Sequence, residues 1–514
     1  MQSRRDQVHA HMFVMSRLSL GMLRDDPDAP ESPHRRTTKG YVIGLVIAVL
    51  AALAVTVYGL VVPGGSNAWK ATGTLVLDER SGARYLSVDG VLHPVLNETS
   101  AKLLAGDRMK VVSVEPASIE EAPRGATLGI VGAPDPLPRA GALSRDAWSV
   151  CATRPDAAED PLLTLGVGLT AEGRPVTSDR TTLVRTVPGD VTYLLWHGTR
   201  MRLDPANYAV QSLGYDADAA YPVPEAFLNA LPSGPDLAVP EVAGRGKAGP
   251  SLAGRPTRVG QLFDGPGGHY LLTEKGLTKV TALEEALIKG DPRTQRTAYA
   301  GEAVSLPGIG PDDLARHQDD GGGKLVGAGG GKVPTALPDA GPVRAGEGVC
   351  AVVGTADGRP TVSVVLPRAD AVTGRAVSNQ PGVTTGSGVA DLFAARPDGG
   401  ALVTALSSAG TGTAYYLVTA SGAKYPVTGG EKGLARLGYR AEQAVPVPSG
   451  VLGMLASGPA LDETALLAQG LVEAAGGAAE SETSTGANSA ESEAATGANP
   501  ADEASDKQSG GPGN

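Results

Sequence analysis

The order of apolar and polar positions divides the chain into a short basic segment, one long apolar run and a long region of short strands. The run GYVIGLVIAVLAALAVTVYGLVV, residues 40–62, contains no charged side chain. At about 1.5 Å per residue, a helix of this length spans a hydrocarbon core of about 30 Å. Ser66 and Ala68 fit a cleavage site, but the 39 residues before the run favour an uncleaved anchor over a signal peptide. We therefore predict one membrane-spanning helix.

The charges beside the apolar run predict its orientation. Arg35, Arg36 and Lys39 lie immediately before it, whereas Lys70 is the cation close behind it. Because cationic flanks stay in the cytoplasm, we expect the N-terminus inside and the body outside the cytoplasmic membrane. An oxidising compartment favours a disulfide between the two cysteines, Cys151 and Cys350.

The first 39 residues predict a cytoplasmic amphipathic helix followed by a linker. Apolar side chains recur at roughly helical spacing, and Pro27 ends the pattern. The helix either lies on the anionic inner leaflet or docks on a partner's cytoplasmic domain, and the residues alone leave both interpretations open. If it docks, the partner-binding residues would be Arg4, Arg5, Val8, Met12, Met15 and Arg17.

The region of short strands contains an internal duplication. Two segments of 45 residues, one from Tyr193 and one from Leu417, align without a gap and share LGY, PVP and SGP motifs. Weaker relatives begin at Tyr85 and Tyr270. Each cysteine lies in a VCA triplet, which is followed further on by TAEGRP or TADGRP. We expect two homologous halves related by a pseudo-twofold axis, with the two VCA segments meeting at the centre.

This order of segments predicts a set of domain boundaries. The acidic C-terminus has too few large apolar side chains to offset chain entropy, so we expect it to be disordered. The expected divisions are residues 1–39 for the cytoplasmic helix and linker, 40–62 for the membrane span, 70–110, 186–240, 255–295 and 386–465 for four repeats, 111–185 and 296–385 for the halves of a central domain, the second half with a Gly-rich loop, and 473–514 for the tail.

Composition narrows the fold class and the function. With 70 Gly, 39 Pro and 4% aromatic residues among 514, the chain favours a β-rich α+β body over long helices. The net charge of −11 argues against nucleic-acid binding.

The sequence contains no catalytic motif that fits. The stretch GGGKVPT resembles a phosphate-binding loop, but Val333 follows Lys332 where the motif requires Ser or Thr, and Val326 occupies the first Gly position. There is no spaced Cys/His set for a metal and no G-x-S-x-G elbow. We expect no catalytic residue, no metal and no cofactor. An enzyme, either a nucleotide hydrolase or one that acts on the cell wall, is kept as the alternative.

Several motifs together resemble the EccB family of the type VII secretion system. They are the N-terminal block QSRRDQVHAHMFVMSRLSLGML, the stretch DDPDAPESP, the single span, GAPDPLP at residues 132–138 and the two extracytoplasmic cysteines. The resemblance implies a structural membrane subunit with four small repeat domains around a central β domain that holds the disulfide. Some family members carry an ATPase label, which the residues here do not support.

The same resemblance implies partners. These are an FtsK-like ATPase of the EccC type, EccD, EccE, a subtilisin-like membrane protease and further copies of this chain, with peptidoglycan as a weaker expectation. Because the secretion motor is cytoplasmic while most of this chain lies outside, the resemblance favours partner docking for the N-terminal helix.

Overall fold

The computed structural model describes residues 4–23, 34–61, 67–156, 159–177, 179–319, 325–326, 332–356, 359–377, 379–407 and 410–467. The acidic tail and most of the Gly-rich loop lie outside these residues. The chain forms two compact units, Met1–Leu92 with Met109–Arg124, and His93–Arg108 with Gly125–Asn514.

The first unit contains two helices and a small sheet with a compact core. Its elements are α1 (Arg4–Leu23), α2 (His34–Val61), β1 (Thr74–Asp78), β2 (Arg84–Val88), β3 (Val91–Pro94), within which the first unit ends, and β4 (Lys110–Val114). The strand order of this small sheet 1 is β3-β2-β1-β4, with β4 parallel to β1. Val76, Leu92 and Val114 pack with Trp69 in its core, as expected for strands that bury alternate residues.

The second unit holds the remaining elements. In its first half these are α3 (Glu98–Ala105), β5 (Trp148–Thr153), β6 (Leu162–Val167), β7 (Arg174–Pro175), β8 (Arg180–Val187), β9 (Thr192–Trp196), β10 (Thr199–Arg202), α4 (Ala209–Ser212) and β11 (Tyr221–Pro224). The middle part adds β12 (Leu262–Gly265), β13 (Gly268–Thr273), β14 (Gly276–Val280), α5 (Ala282–Gly290), α6 (Pro311–His317) and β15 (Asp339–Ala340). The last part adds β16 (Val349–Ala356), β17 (Arg359–Leu366), β18 (Arg375–Ala376), β19 (Leu392–Ala395), β20 (Gly400–Ser407), β21 (Gly410–Thr419), β22 (Ala423–Val427), α7 (Gly430–Leu437), β23 (Val445–Pro448), α8 (Ser449–Leu452) and β24 (Ala456–Ser457).

A seven-stranded central sheet joins strands that are far apart in the sequence. Its order is β18-β19-β6-β5-β16-β17-β7. The two middle strands, β5 and β16, run antiparallel with Cys151 directly opposite Cys350. The neighbouring residues of each VCA triplet also pair with one another, Val150 with Ala351 and Ala152 with Val349. The two triplets therefore pair symmetrically about the cysteines.

Three of the four small sheets share one strand order, and the other shares its three-stranded part. Small sheet 2 has the order β10-β9-β8-β11, and small sheet 4 contains β22-β21-β20-β23. In small sheets 1, 2 and 4, the strand that comes fourth in the chain among these four is parallel to its neighbour, the strand that comes first: β4 to β1, β11 to β8 and β23 to β20. Small sheet 3 has the order β12-β13-β14, and a parallel bridge between Asp264 and Gly308 lies where the others have a fourth strand.

One short sequence match is not structurally equivalent. TADGRP, residues 355–360, spans the connection of the β16–β17 hairpin, where Thr355 pairs with Pro360. TAEGRP, residues 170–175, instead follows β6, and its Arg174 pairs with Leu366 at the sheet edge. The two hexapeptides share turn-forming residues, which recur wherever a chain reverses, so this match does not mark equivalent positions.

Strand pairing also crosses the expected domain divisions. Strand β8 begins at Arg180 but pairs with β9 in small sheet 2, which was expected to begin at residue 186. Strand β19 pairs with β6 in the central sheet, although residues from 386 onward were expected in the fourth repeat. The β8–β9 pairing is a local hairpin that begins earlier than the expected boundary. The β19–β6 pairing instead joins residues more than 200 positions apart, which no local pattern records.

Candidate functional site

The apolar run forms a helix with the properties of a membrane span. Residues Thr37–Tyr58 of α2 have a mean hydropathy of 2.5, and none of this stretch is buried by the rest of the chain. Arg35 and Arg36 fall in the first turn of the helix and Lys39 in its second turn. Among the described residues, this is the single helix long and apolar enough to cross a membrane.

The predicted partner-binding residues all lie on α1, which ends at Leu23. Val8, Met12 and Met15 are each more than half exposed. Apolar exposure is not confined to this stripe, however, because Phe13 is 64% exposed and lies about 160° from Met15 around a helix of about 100° per residue. Arg17 lies on the Phe13 side, with its guanidinium carbon 6.0 Å from the ring centroid. The helix is therefore less cleanly amphipathic than its stripe suggested, because that pattern considered one face only.

The structure joins Cys151 to Cys350 through a disulfide at the middle of the central sheet. Both side chains are buried, at 2% and 0% exposure. Their separation of 199 residues means that the bond links the two halves of the body.

Two further links connect the halves, and sequence reasoning missed them. The hydroxyl of Tyr439 donates to the Pro138 carbonyl oxygen at 2.6 Å, and that of Tyr215 donates to the Pro338 carbonyl oxygen at 2.9 Å. Both tyrosines belong to the aligned LGY triplets. The two prolines lie in LPRAG (residues 137–141, strap 1) and LPDAG (residues 337–341, strap 2). This LP-x-AG match, 200 residues apart, was the signal available in the sequence.

Each strap contacts the small sheet of the opposite half. Strap 1 accepts a hydrogen bond from the LGY segment beside small sheet 4. Strap 2 accepts one from the LGY segment beside small sheet 2. Burial, reinforced by the Asp339 charge, raises the pKa of Tyr215 to about 12. Burial, reinforced by Glu98, also raises the pKa of Tyr439 far above its usual value. Both phenols therefore stay protonated donors near neutral pH.

The Gly-rich region is anchored in a way that does not suit phosphate binding. The backbone N–H groups of Leu325 and Val326 donate to Glu284 Oε1 at 2.9 and 3.0 Å. Val326 and Val333 are buried in a core that contains Leu283 of α5. In a phosphate-binding loop such amides face an anionic ligand, and a hydroxyl follows the lysine. Here a protein carboxylate holds the Leu325 and Val326 amides, and the buried Val333 follows Lys332.

A metal centre is not apparent in the described part of the chain. No group of three or more His, Cys, Asp or Glu side chains there has the geometry to hold a metal ion.

Comparison with known proteins assigns the chain to a family. A family model described as type VII secretion system ESX-1, transport TM domain B, matches residues 1–472. The chain belongs to the EccB family. Members of this family are transmembrane components of ESX secretion systems.

Several curated EccB proteins are similar along much of their length. One is the ESX-3 secretion system ATPase EccB3 of Mycolicibacterium smegmatis, 29% identical over 503 residues, which are 93% of each chain. Another is the ESX-2 secretion system ATPase EccB2 of Mycobacterium tuberculosis, 33% identical over 307 residues, which are 56% of this chain and 59% of that protein.

Solved EccB structures share the fold. A chain of an intact ESX-5 inner membrane complex matches with a TM-score of 0.59 and 23% identity, covering 91% of this chain and 95% of that one. The EccB3 dimer from the ESX-3 core complex matches with a TM-score of 0.57 and 26% identity, covering 76% and 99%. Together these matches support a β-rich EccB body that follows one N-terminal apolar helix.

Proposed function

We propose that this EccB protein is a structural subunit that links the cytoplasmic motor side of a type VII secretion complex to a large extracytoplasmic body. The observation that carries the proposal is α1, a helix with most of its apolar side chains exposed that precedes the apolar helix α2. Exposed apolar surface of this kind is typical of an interaction site. The N-in orientation, which rests on Arg35, Arg36 and Lys39, is part of the proposal.

The internal duplication is part of the same proposal. It is supported by the common strand order of small sheets 1, 2 and 4, by the pairing of the two VCA triplets, and by the reciprocal straps. Helix α3 also packs on α7, while α4 packs on α5, as a pseudo-twofold relation of four repeats would require. The disulfide and the two straps would then tie the two halves of the second unit together outside the membrane.

Partner identity follows from the family and stays a proposal. The relatives in solved complexes are described as parts of an inner membrane complex and as a dimer. We infer contacts with an EccC-type ATPase, EccD, EccE, a subtilisin-like protease and further copies of the chain. Peptidoglycan contact stays a prediction from the resemblance.

An ATPase is the alternative function, because relatives carry that word in their names. The Glu284 contacts and the buried Val333 speak against nucleotide binding at the Gly-rich segment. We therefore propose that the energy for export comes from a separate cytoplasmic ATPase and that this chain carries out no chemistry.

The docking proposal is tested with a triple variant of the helix, Val8→Asp, Met12→Asp and Met15→Asp. Burial of even one unpaired charge at a packed contact costs several kcal/mol, so we expect loss of the other membrane subunits on affinity purification from detergent, and loss of secretion. The matched control is Ala10→Asp, Phe13→Asp and Val14→Asp, which adds the same charge at positions at least about 100° around the helix from Val8, Met12 and Met15.

The outcomes are distinct. Normal secretion and co-purification by the stripe variant would refute docking through this face. Failure of both variants would place the contact on the whole circumference of α1. ATP hydrolysis by the purified chain that a point mutation in its body abolishes would favour the enzyme.

A further inference from the structure

Two cavities in the second unit occupy equivalent positions. Each lies between an LGY segment and a strap: one is lined by Leu213, Gly214 and Tyr215 with strap 2, and the other by Leu437, Gly438 and Tyr439 with strap 1. Their volumes differ, at about 370 Å³ and about 1070 Å³ respectively. The larger cavity has the size of a ligand site, and its twin provides an internal comparison.

The walls of the larger cavity are held in place before any ligand arrives. Strap 1 is fixed by the Tyr439 hydroxyl at Pro138 and by Gln443 Nε2, which donates to the Ala140 carbonyl oxygen at 3.0 Å. The same loop is tied to α3, because the Thr99 hydroxyl donates to the Pro134 carbonyl oxygen. A cavity with fixed walls loses little conformational entropy when it binds a ligand.

The larger cavity differs from its twin in the side chains at its rim. Glu98 and Lys102 of α3 line it and form an ion pair with each other at 3.3 Å. Arg139 and Asp398 also line it, and neither has an ion-pair partner in the part of the chain that the structure describes. In strap 2 the residue equivalent to Arg139 is Asp339, so this pair of opposite charges is specific to the larger cavity.

The backbone of the wall determines which hydrogen-bonding groups a ligand must bring. Four lining residues are proline, which has a carbonyl acceptor but no N–H donor: Pro134, Pro136, Pro138 and Pro381. Because the Pro134 and Pro138 carbonyls already accept from Thr99 and Tyr439, Pro136 and Pro381 are the prolines whose carbonyls a ligand with N–H donors can use. Extended peptides bring such donors in their main-chain N–H groups.

Other ligand classes fit this lining less well. The rings of Tyr425 and Tyr439 are 0% and 3% exposed, so they offer no stacking platform for a sugar or a base. A phosphate at this cavity could bind Arg139, but the carboxylates of Asp135 and Asp398 line the same cavity and would repel it.

We propose that the larger cavity binds a short extended peptide segment that carries one acidic and one basic group, with Arg139 contacting the acid and Asp398 the base. This site is separate from α1 and does not depend on the docking of that helix. The peptide can be free or part of a partner subunit, since both present the same chemistry.

The test measures binding of the tetrapeptide Ala-Glu-Lys-Ala to the full chain in detergent by saturation-transfer NMR. The charge-free control is acetylated and amidated Ala-Gln-Gln-Ala. We expect saturable binding of the charged peptide, at least tenfold weaker binding by the double variant Arg139→Gln and Asp398→Asn, and no change in Asp339→Asn, which alters the twin cavity.

Each other result overturns the proposal. These results are no saturable binding of the charged peptide, equal binding of the charge-free peptide, or unchanged binding by the double variant. A thermal unfolding curve equal to that of the parent shows that the double variant remains folded. To distinguish the two sources of peptide, a photoreactive amino acid in place of Ser421, which also lines the cavity, is introduced in cells: crosslinking to a protein subunit indicates a partner segment, and crosslinking to a small species indicates a free peptide.

Discussion

Replacement of Tyr439 by Phe tests whether the straps stabilise the body. Tyr439 is 3% exposed, and its hydroxyl donates to the Pro138 carbonyl oxygen at 2.6 Å in a buried setting. The change leaves that oxygen without its donor, and a buried unsatisfied acceptor costs about 1–3 kcal/mol. We therefore expect the free energy of unfolding to fall by about 2 kcal/mol.

The matched variant is Tyr215→Phe in the equivalent strap. Its hydrogen bond is longer, at 2.9 Å, and Tyr215 is only partly buried. Water can replace the lost hydroxyl there, so the cost should be nearer 0.5–1 kcal/mol. The difference between the two variants therefore reports burial, because the chemical change is the same.

The assay is urea unfolding of the full chain in detergent, monitored by tryptophan fluorescence that includes Trp148, a residue in the core of the central sheet. Equal slopes for parent and variants would show that the midpoints can be compared. A loss below about 0.5 kcal/mol for Tyr439→Phe, or a larger loss for Tyr215→Phe, would refute the argument from burial.

Three further predictions concern the same body. Replacing Cys151 and Cys350 by Ala removes a link across 199 residues and should lower unfolding stability by at most about 5 kcal/mol, since β5 and β16 still pair; an unchanged urea midpoint would contradict this. Burial raises the pKa of Tyr215 to about 12 in the folded protein, against about 10 in the unfolded chain. The free energy of unfolding that its protonated hydroxyl provides is therefore complete below about pH 10 and is lost between about pH 10 and 12. Urea titrations at these two pH values should show a smaller loss of unfolding free energy for Tyr215→Phe than for the parent. Gly198→Ala should cost more than Gly214→Ala although both glycines have positive φ, because a Cβ on Gly198 would lie 2.0 Å from the Val362 carbonyl oxygen while Gly214 has open space; equal melting temperatures would refute the close approach.

The comparison of Gly198 with Gly422 illustrates how far a sequence match carries. The two glycines align, and both have positive φ in a hairpin turn, +70° and +87°. Their neighbours differ, since a Cβ would meet the Val362 backbone in one case and the Phe393 ring in the other. The turn conformation follows from the local sequence, whereas the contact depends on a strand from elsewhere in the chain.

Local sequence by itself determined several features of this protein. The uncharged run of α2, the helix α1 and the strand–turn–strand segments each follow from the periodicity or composition of neighbouring residues. The aligned LGY and VCA motifs also indicated a relation between distant segments, because an alignment compares residues without needing their positions in space.

Only the tertiary structure decided how those segments combine. It placed β19 beside β6, gave the hexapeptides TAEGRP and TADGRP different positions, brought Tyr439 to Pro138, and held the Gly-rich segment on the Glu284 carboxylate. These contacts join residues separated by tens to hundreds of positions. Their free energy comes from burial and hydrogen bonding between surfaces that exist only after each element has formed, so no window of neighbouring residues contains the information.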